Sequence, residues 1–421
     1  MNYLDFLRKY IVPACDIDPL SEADKMCKAL EDGLKRFGAT VPMIPAYVSN
    51  SGIIDDRAKA IVIDAGGTNF RRALVQFNND KCEVSELMKC KMPGIDAPVT
   101  WEDFIAFTAD KIEPIINEAD SIGFCFSYAA DITPNVDGRV VRIDKEVVVT
   151  GCEGKLIGQS LSEELNRRGY PGKRVVIIND TVAVLMGGSS VLDKSRYSGF
   201  VGQVSGTGTN TCCTLPIERV EKLGIHSGNE IIVNLESGLY DGIKPGPVER
   251  QLDSESNNPG LKTFEKMTSG VYLGELARRI LTEAGNEGLI TAESKQKLKD
   301  FGKFDTSVVD SWACSERISE VFVCDEDREV AANVCAEILK RSATCMSINL
   351  LAILKLTGIG KEKPAAIIAE GSLVQKSRIY RPALEELLKV YAEGEMGRKV
   401  EYIIGNDTTI SGSAAAAILN T

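Results

Sequence analysis

Only one histidine, His226, occurs in the 421 residues, beside the loop-like run Ser227-Gly228-Asn229. A histidine general base is therefore a poor expectation, and so is a zinc site of mixed cysteine and histidine ligands. The twelve cysteines include no C-x-x-C spacing, and Cys212-Cys213 is their only adjacent pair. They read as reduced thiols filling small core positions in a cytoplasmic protein, not as a disulfide framework. No apolar run reaches the roughly 18 residues that a membrane span requires. The opening "MNYLDFLRKYIVPACDIDPL" lacks a continuous apolar core behind a basic end, so it reads as the start of a helix and not as a signal peptide. A net charge of −11 speaks against nucleic acid or anionic lipid as partner. Two glycine-rich nucleotide signatures are also missing: there is no G-x-x-x-x-G-K-[ST] and no G-x-G-x-x-G.

What is present is a different use of glycine. In "AKAIVIDAGGTNFRRALVQF" a β-branched run leads into Gly66-Gly67-Thr68-Asn69, and Ala73-Leu74-Val75 centres a second strand. The stretch reads as strand, glycine turn, strand. "SGFVGQVSGTGTNTCCTL" repeats the form around Gly206-Thr207-Gly208-Thr209-Asn210. Two similar hairpins in a chain too long for one ordinary core suggest two related lobes, each offering a turn to one ligand. "RVVIIND" and "AAIIAEGS" are further buried strands, each followed by a helical segment. Strand–helix units of this kind imply an α/β fold whose ligands sit beyond the carboxyl ends of the strands. "GVYLGELARRILTEAG" and "DREVAANVCAEILKRSATCMSINLLAILK" carry apolar residues at helical spacing and are expected to be buried helices.

Several residues have chemistry to offer. Gly66 and Gly67 let backbone N–H groups approach an anion without a Cβ in the way, while Thr68, Asn69 and Arg71 add hydrogen bonds and positive charge. A tight hairpin with no ligand is the plain alternative, and the second turn, Gly206 to Thr209, favours phosphates. Asp64 ends a buried strand and could hold Mg²⁺ through water, or simply form an Asx-turn. Asp180, after four apolar residues and before a helix, could accept a proton from a hydroxyl as that oxygen attacks phosphorus. Its plain alternative is an N-cap for that helix. Asn179 beside it could hydrogen-bond a ligand. Ser127, Asn210, Glu236 and Glu265 together resemble a sugar clamp, since hydroxyls both donate and accept. Singly, Glu236 could end a strand and Glu265 could share a solvated helix face with Lys266.

Taken in order, "IDAGGTNFR", "INDTVAVL", "SGTGTN", "PGLKTFEKMTSGVYLGELARRIL", "IAEGS" and "SGSAAAAIL" closely resemble the motifs of the hexokinase family. The resemblance implies a two-lobed actin-like (ribonuclease H-like) sugar kinase fold, each lobe a mixed sheet flanked by helices. It implies a small lobe of residues 48–187 plus 408–421, and a large lobe of residues 1–47 plus 188–407. It also implies transfer of the γ-phosphoryl group of ATP to the 6-hydroxyl of a hexose, glucose being the first expectation, with Mg²⁺ and closure of the lobes. By position, Asp180 becomes the base, and Ser127, Thr150, Asn179, Asn210, Glu236 and Glu265 become sugar contacts. Asp64, Gly66, Gly67, Thr68, Asn69, Arg71, Thr207 and Gly208 fall on the phosphates, with Asp64 and Asp180 near the metal. Gly371, Ser372 and Ser413 fall near the nucleotide.

The chain also departs from the family pattern. A Trp-Thr-Lys-Gly-Phe run is usual after the Ser127 region, but "VVVTGCEGKLIG" keeps Thr150 and puts Gly151 at the lysine position, with Lys155 displaced. Ala129 stands where proline is usual, and Glu370 where aspartate is common. These departures leave two alternatives open: a kinase for a different hexose, or a sugar-binding sensor of the same fold with weak or no kinase activity. An actin-like or chaperone-like ATPase would account for both hairpins but not for Glu236, Glu265 and "FEKMTSG".

Overall fold

The computed structural model describes residues 3–78, 81–143 and 147–420. In chain order the principal elements are helix α1 (Pro19–Lys35), strands β1 (Lys59–Ala65), β2 (Asn69–Asn78) and β3 (Lys81–Lys91), and helix α2 (Trp101–Ile112). Strand β4 (Ser121–Phe126), helix α3 (Ile157–Arg167), strand β5 (Arg174–Ile178) and helix α4 (Asp180–Ser190) follow. Then come strands β6 (Gly199–Ser205), β7 (Thr209–Pro216) and β8 (Glu230–Asn234), and helices α5 (Gly270–Asn286) and α6 (Asp325–Thr357). Strands β9 (Ala365–Glu370) and β10 (Val400–Ile404) and helix α7 (Thr408–Leu419) close the chain. The mixed α/β class and both hairpins read from the sequence are present. The chain divides into two compact units, one of Met1–Pro42, Val204–Asn210 and Glu236–Ile404, the other of Met43–Gln203, Thr211–Leu235 and Gly405–Thr421.

The second of these units is built on a five-stranded mixed sheet in the order β5-β4-β1-β2-β3. Strand β1 pairs in parallel with β4 and antiparallel with β2, which is why "AIVIDA" is β-branched and buried on both faces. One face packs under α2 and α3, with Trp101, Phe104, Leu161 and Leu165 in the core. Small residues govern the opposite face. A Cβ on Gly123 would strike the Ser413 carbonyl, and one on Gly412 would strike the Ala183 carbonyl. Helix α7 can therefore lie backbone to backbone on β4 and α4, which explains "SGSAAAAIL" as a run of small residues. This packing sets the carboxyl ends of β1, β4 and β5, and with them the start of α4. Strands β7 and β8 of this unit pair antiparallel, and β6 neighbours β7.

The first unit is organised around α6, whose 33 residues give a length of about 50 Å. Gly358, at φ 76°, ends it in the left-handed conformation that suits glycine. Mid-helix, Arg341 is only 1 % exposed and pairs with the buried Glu249, its Nη2 lying 3.0 Å from Oε2. Its Nε also donates to the Val12 carbonyl at 2.7 Å, so one cation fastens the N-terminal segment and the helix Pro247–Ser254 onto α6. Strands β9 and β10 run parallel in the same unit. Among the described residues no helix is long and apolar enough to cross a membrane.

Candidate active site

Strand register creates the first cluster. Asp64, at the end of β1, stands opposite Arg71 on β2, and the Arg71 Nε donates to Asp64 Oδ2 at 2.7 Å. Arg71 also donates from Nη1 to Asp407 Oδ1 at 3.3 Å. Asp407 precedes α7 in a left-handed conformation, φ 51°. Burial pushes the Asp64 carboxyl above its usual range; the Arg71 guanidinium opposes that rise and the negative charge of Asp180 adds to it. Two carboxylates that feel one another suit a hard cation. Oxygen donors few in number are what Mg²⁺ accepts while keeping most of its water, so Asp64 and Asp180 fit it.

The turn between β1 and β2 is closed by the Gly66 N–H donating to the Asn69 carbonyl at 3.1 Å. Thr68 and Asn69 are exposed at its tip, and the Asn69 amide donates to Thr68 Oγ1 at 3.0 Å. Ser127 follows β4, and its backbone N–H donates to the Ala65 carbonyl at 3.2 Å, which ties it to the base of this turn.

Asp180 is the first residue of α4. The N-cap is Asn179, whose Oδ1 accepts the Thr181 N–H at 2.9 Å, so the capping role considered for Asp180 falls to its neighbour. Asp180 Oδ1 accepts from the same N–H at 2.7 Å and from the Thr181 hydroxyl at 3.2 Å. The carboxylate is thus half-buried and held by one oxygen in the first turn of α4. Thr150 lies in a two-residue ribbon with Val99–Thr100, its hydroxyl donating to the Val99 carbonyl at 3.3 Å. Next to it Gly151 is left-handed, φ 72°, with no atom within 4 Å of where a Cβ would be. Lys155 does not stand in for a lysine there: its ammonium lies at the surface, 4.0 Å from Glu102. Ser413 is fully buried, and its hydroxyl donates to the Thr409 carbonyl at 2.7 Å inside α7.

The first unit gathers a second cluster around the tip between β6 and β7, where the Gly206 N–H donates to the Gly208 carbonyl at 2.9 Å. Thr207 is exposed at this tip. A Cβ on Gly206 would come within 3.3 Å of the Ser372 nitrogen, and one on Gly208 within 2.9 Å of Glu265 Oε1. Gly371, at φ 120°, packs directly on the Ser205 carbonyl. Here glycine is demanded by close approach. The Asn210 amide donates to Glu236 Oε1 at 3.2 Å and accepts the Ser237 N–H at 3.3 Å, which holds Glu236 in its left-handed conformation, φ 57°. Asn210, Glu236, Glu265, Thr207, Gly208, Gly371 and Ser372 are therefore brought together.

Sequence reasoning passed over several participants. Lys266, read as one side of a solvated face, is 3 % exposed, and its ammonium is held by Asp253 at 2.5 Å and the Asn258 carbonyl at 2.8 Å. It clasps the loop that leads to Glu265, a role that a charged residue beside a glutamate does not advertise. The Gly270 N–H donates to the Gly206 carbonyl at 2.7 Å, placing the start of α5 on the second tip. Asp407 had no signal, because only the fold brings it to Arg71.

Two family profiles described as hexokinase match the chain, over residues 6–190 and 200–419. Among curated relatives, the glucokinase of Aspergillus niger is 26% identical, covering 98% of this chain and 95% of its own length. Hexokinase-1 of Saccharomyces cerevisiae is 28% identical, covering 93% of this chain and 86% of its own. Among solved structures, the hexokinase of Schistosoma mansoni complexed with glucose superposes with a TM-score of 0.75 at 20% identity, covering 99% of this chain and 98% of that one. That likeness establishes the fold.

Proposed function

The chain belongs to the hexokinase family and carries out ATP-dependent phosphorylation of a hexose, and we propose that Asp180 is the base that takes the proton from the sugar 6-hydroxyl, with glucose the preferred sugar. One observation carries the assignment of the base. Both hydrogen bonds from Thr181 engage Asp180 Oδ1, which fixes the carboxylate in place, and Oδ2 is the oxygen we assign to the substrate proton. Asn179, with its oxygen committed to the helix cap, offers its amide N–H groups to the sugar. Ser127, Thr150, Asn210, Glu236 and Glu265 supply the further donors and acceptors that a polyhydroxyl substrate needs, and such a site rejects analogues that leave an acceptor unpaired. The glucokinase and hexokinase relatives support glucose.

For the nucleotide, the Gly66–Asn69 turn and Arg71 hold phosphate oxygens, with Thr207 and Gly208 doing the same from the second tip. Gly371 and Ser372 lie against that tip and serve the nucleoside side; Ser413 contributes through the seating of α7 and not through its hydroxyl. Asp64 and Asp180 would hold Mg²⁺ through water, and the ion would offset phosphate charge. Positioning and charge stabilisation then carry most of the catalysis. Twelve free thiols fit a reducing, cytoplasmic setting.

The test is ADP release with Mg-ATP across glucose, mannose, fructose, glucosamine and N-acetylated sugars. The expected result is sugar-dependent turnover with the highest kcat/KM for glucose. Saturable sugar binding without turnover by any sugar would overturn this reading in favour of a sensor, a possibility that Gly151 at the lysine position keeps in view.

A further inference from the structure

Tyr128 is 5 % exposed, and its ring packs on Phe126 with centroids 5.2 Å apart. Phe126 in turn meets Phe124 at 6.0 Å, so a ladder of rings along the end of β4 fixes the phenol. An aromatic residue in such a ladder would serve the core equally well as phenylalanine. Its hydroxyl, however, donates to the Gly66 carbonyl at 2.8 Å and lies 3.2 Å from the Gly67 carbonyl. One hydroxyl hydrogen is thus shared by two successive peptides of the first turn.

Peptide geometry gives this contact a consequence. In a trans peptide the C=O of one residue and the N–H of the next point in opposite directions, and the described chain contains no cis peptide. Drawing the Gly66 carbonyl toward the hydroxyl turns the Gly67 N–H away from it; drawing in the Gly67 carbonyl does the same to the Thr68 N–H. The neighbouring groups are already committed: Ala65 O to Ser127 N at 3.2 Å, Gly66 N to Asn69 O at 3.1 Å, and Thr68 O to Met92 N at 3.1 Å. Among the described residues, neither the Gly67 nor the Thr68 N–H donates a hydrogen bond to the protein.

We propose that Tyr128 is a positioning residue for nucleotide binding: its hydroxyl anchors the Gly66 and Gly67 carbonyls from within, and so aims the Gly67 and Thr68 N–H groups at a nucleotide phosphate. The inference rests on the assignment of this turn to ATP phosphates. Tyr128→Phe keeps the ring and removes only the anchor. Loss of one neutral hydrogen bond that organises the turn should weaken affinity for ADP and for a non-hydrolysable ATP analogue about threefold to tenfold, read by calorimetry. KM for ATP should rise in parallel, while kcat and KM for the sugar stay within about twofold. A role in core packing alone would lower the unfolding midpoint and leave nucleotide affinity untouched.

Gly67→Ala, measured beside it, separates the two levels of the inference. Weakened nucleotide binding in both variants supports the proposal. Weakened binding in Gly67→Ala alone removes Tyr128 from the account and keeps the turn. Unchanged binding in both removes the phosphate assignment of the turn as well. Weakened binding in Tyr128→Phe alone also overturns the proposal, because the effect would not run through the turn.

Discussion

Replacing Arg71 by methionine probes the cluster at the end of β1 most severely. Asp64 retains only 7 % of its side-chain exposure and Arg71 27 %. Removing one partner of a fully buried ion pair typically costs 3–5 kcal/mol, because the remaining charge is left uncompensated. Water reaching the partly exposed guanidinium side lowers that figure, so the expected loss is about 2–3 kcal/mol. The sign of its pH dependence follows from the direction of the Asp64 shift. Burial raises the carboxyl, and loss of Arg71 removes what opposes the rise, so the native state of the variant holds a proton where the unfolded chain has released it. Stability of the variant therefore falls as pH rises through that window, and its deficit against wild type is greatest near neutrality and shrinks on acidification. Asp64→Asn combined with Arg71→Met should recover at least half of the loss, since no buried charge remains. Urea unfolding of wild type, Arg71→Met, Asp64→Asn and the double variant at neutral and acidic pH supplies the cycle. An Arg71→Met loss below about 0.5 kcal/mol, or one that grows with acid, would refute the reasoning.

Two further outcomes follow from buried charge elsewhere. Glu249→Gln strands Arg341 at 1 % exposure and should lower stability by about 3–5 kcal/mol in urea unfolding, with Glu249→Gln/Arg341→Met recovering part of it. Burial brings the Lys222 ammonium, which donates to the Met43 carbonyl at 2.8 Å, down to about 8. The unfolded chain then binds the extra proton between that value and the ordinary lysine range, so wild-type stability should rise with pH across the interval. After discounting for solvent access the rise relative to Lys222→Met is about 1 kcal/mol, read from unfolding midpoints at pH 7.5 and 10.

Much of the fold was legible because its signals are local. β-Branched runs ending in glycine or carboxylate marked β1, β5, β6 and β9, and helical spacing of Leu273, Leu276, Ala277 and Ile280 marked α5. Asp64 and Asp180 could be picked out as carboxylates at or just beyond buried strand ends, whereas Asn210, Glu236 and Glu265 were singled out together by their resemblance to a sugar clamp. What stayed hidden depends on register and tertiary contact. Nothing in the sequence aligns Asp64 with Arg71, seven positions along a hairpin, or brings Asp407 to the same guanidinium. Tyr128 gave no signal in the sequence, because its hydroxyl meets the Gly66 and Gly67 carbonyls only once the chain is folded. Lys266 read as solvated because burial of a lysine is rare without a partner, and its partner Asp253 lies on a separate helix, Pro247–Ser254.

The central claim is that Asp180 moves the proton of the sugar hydroxyl while the sugar is held by other groups. Asp180→Asn keeps the size of the side chain and its bonds to Thr181 but removes the basic oxygen. Sugar affinity measured by calorimetry, and phosphoryl transfer measured on the same preparation, test it together. The expected result is sugar affinity within about threefold of wild type, with transfer reduced by about 10²–10⁴-fold. Transfer at an undiminished rate in Asp180→Asn would contradict the account.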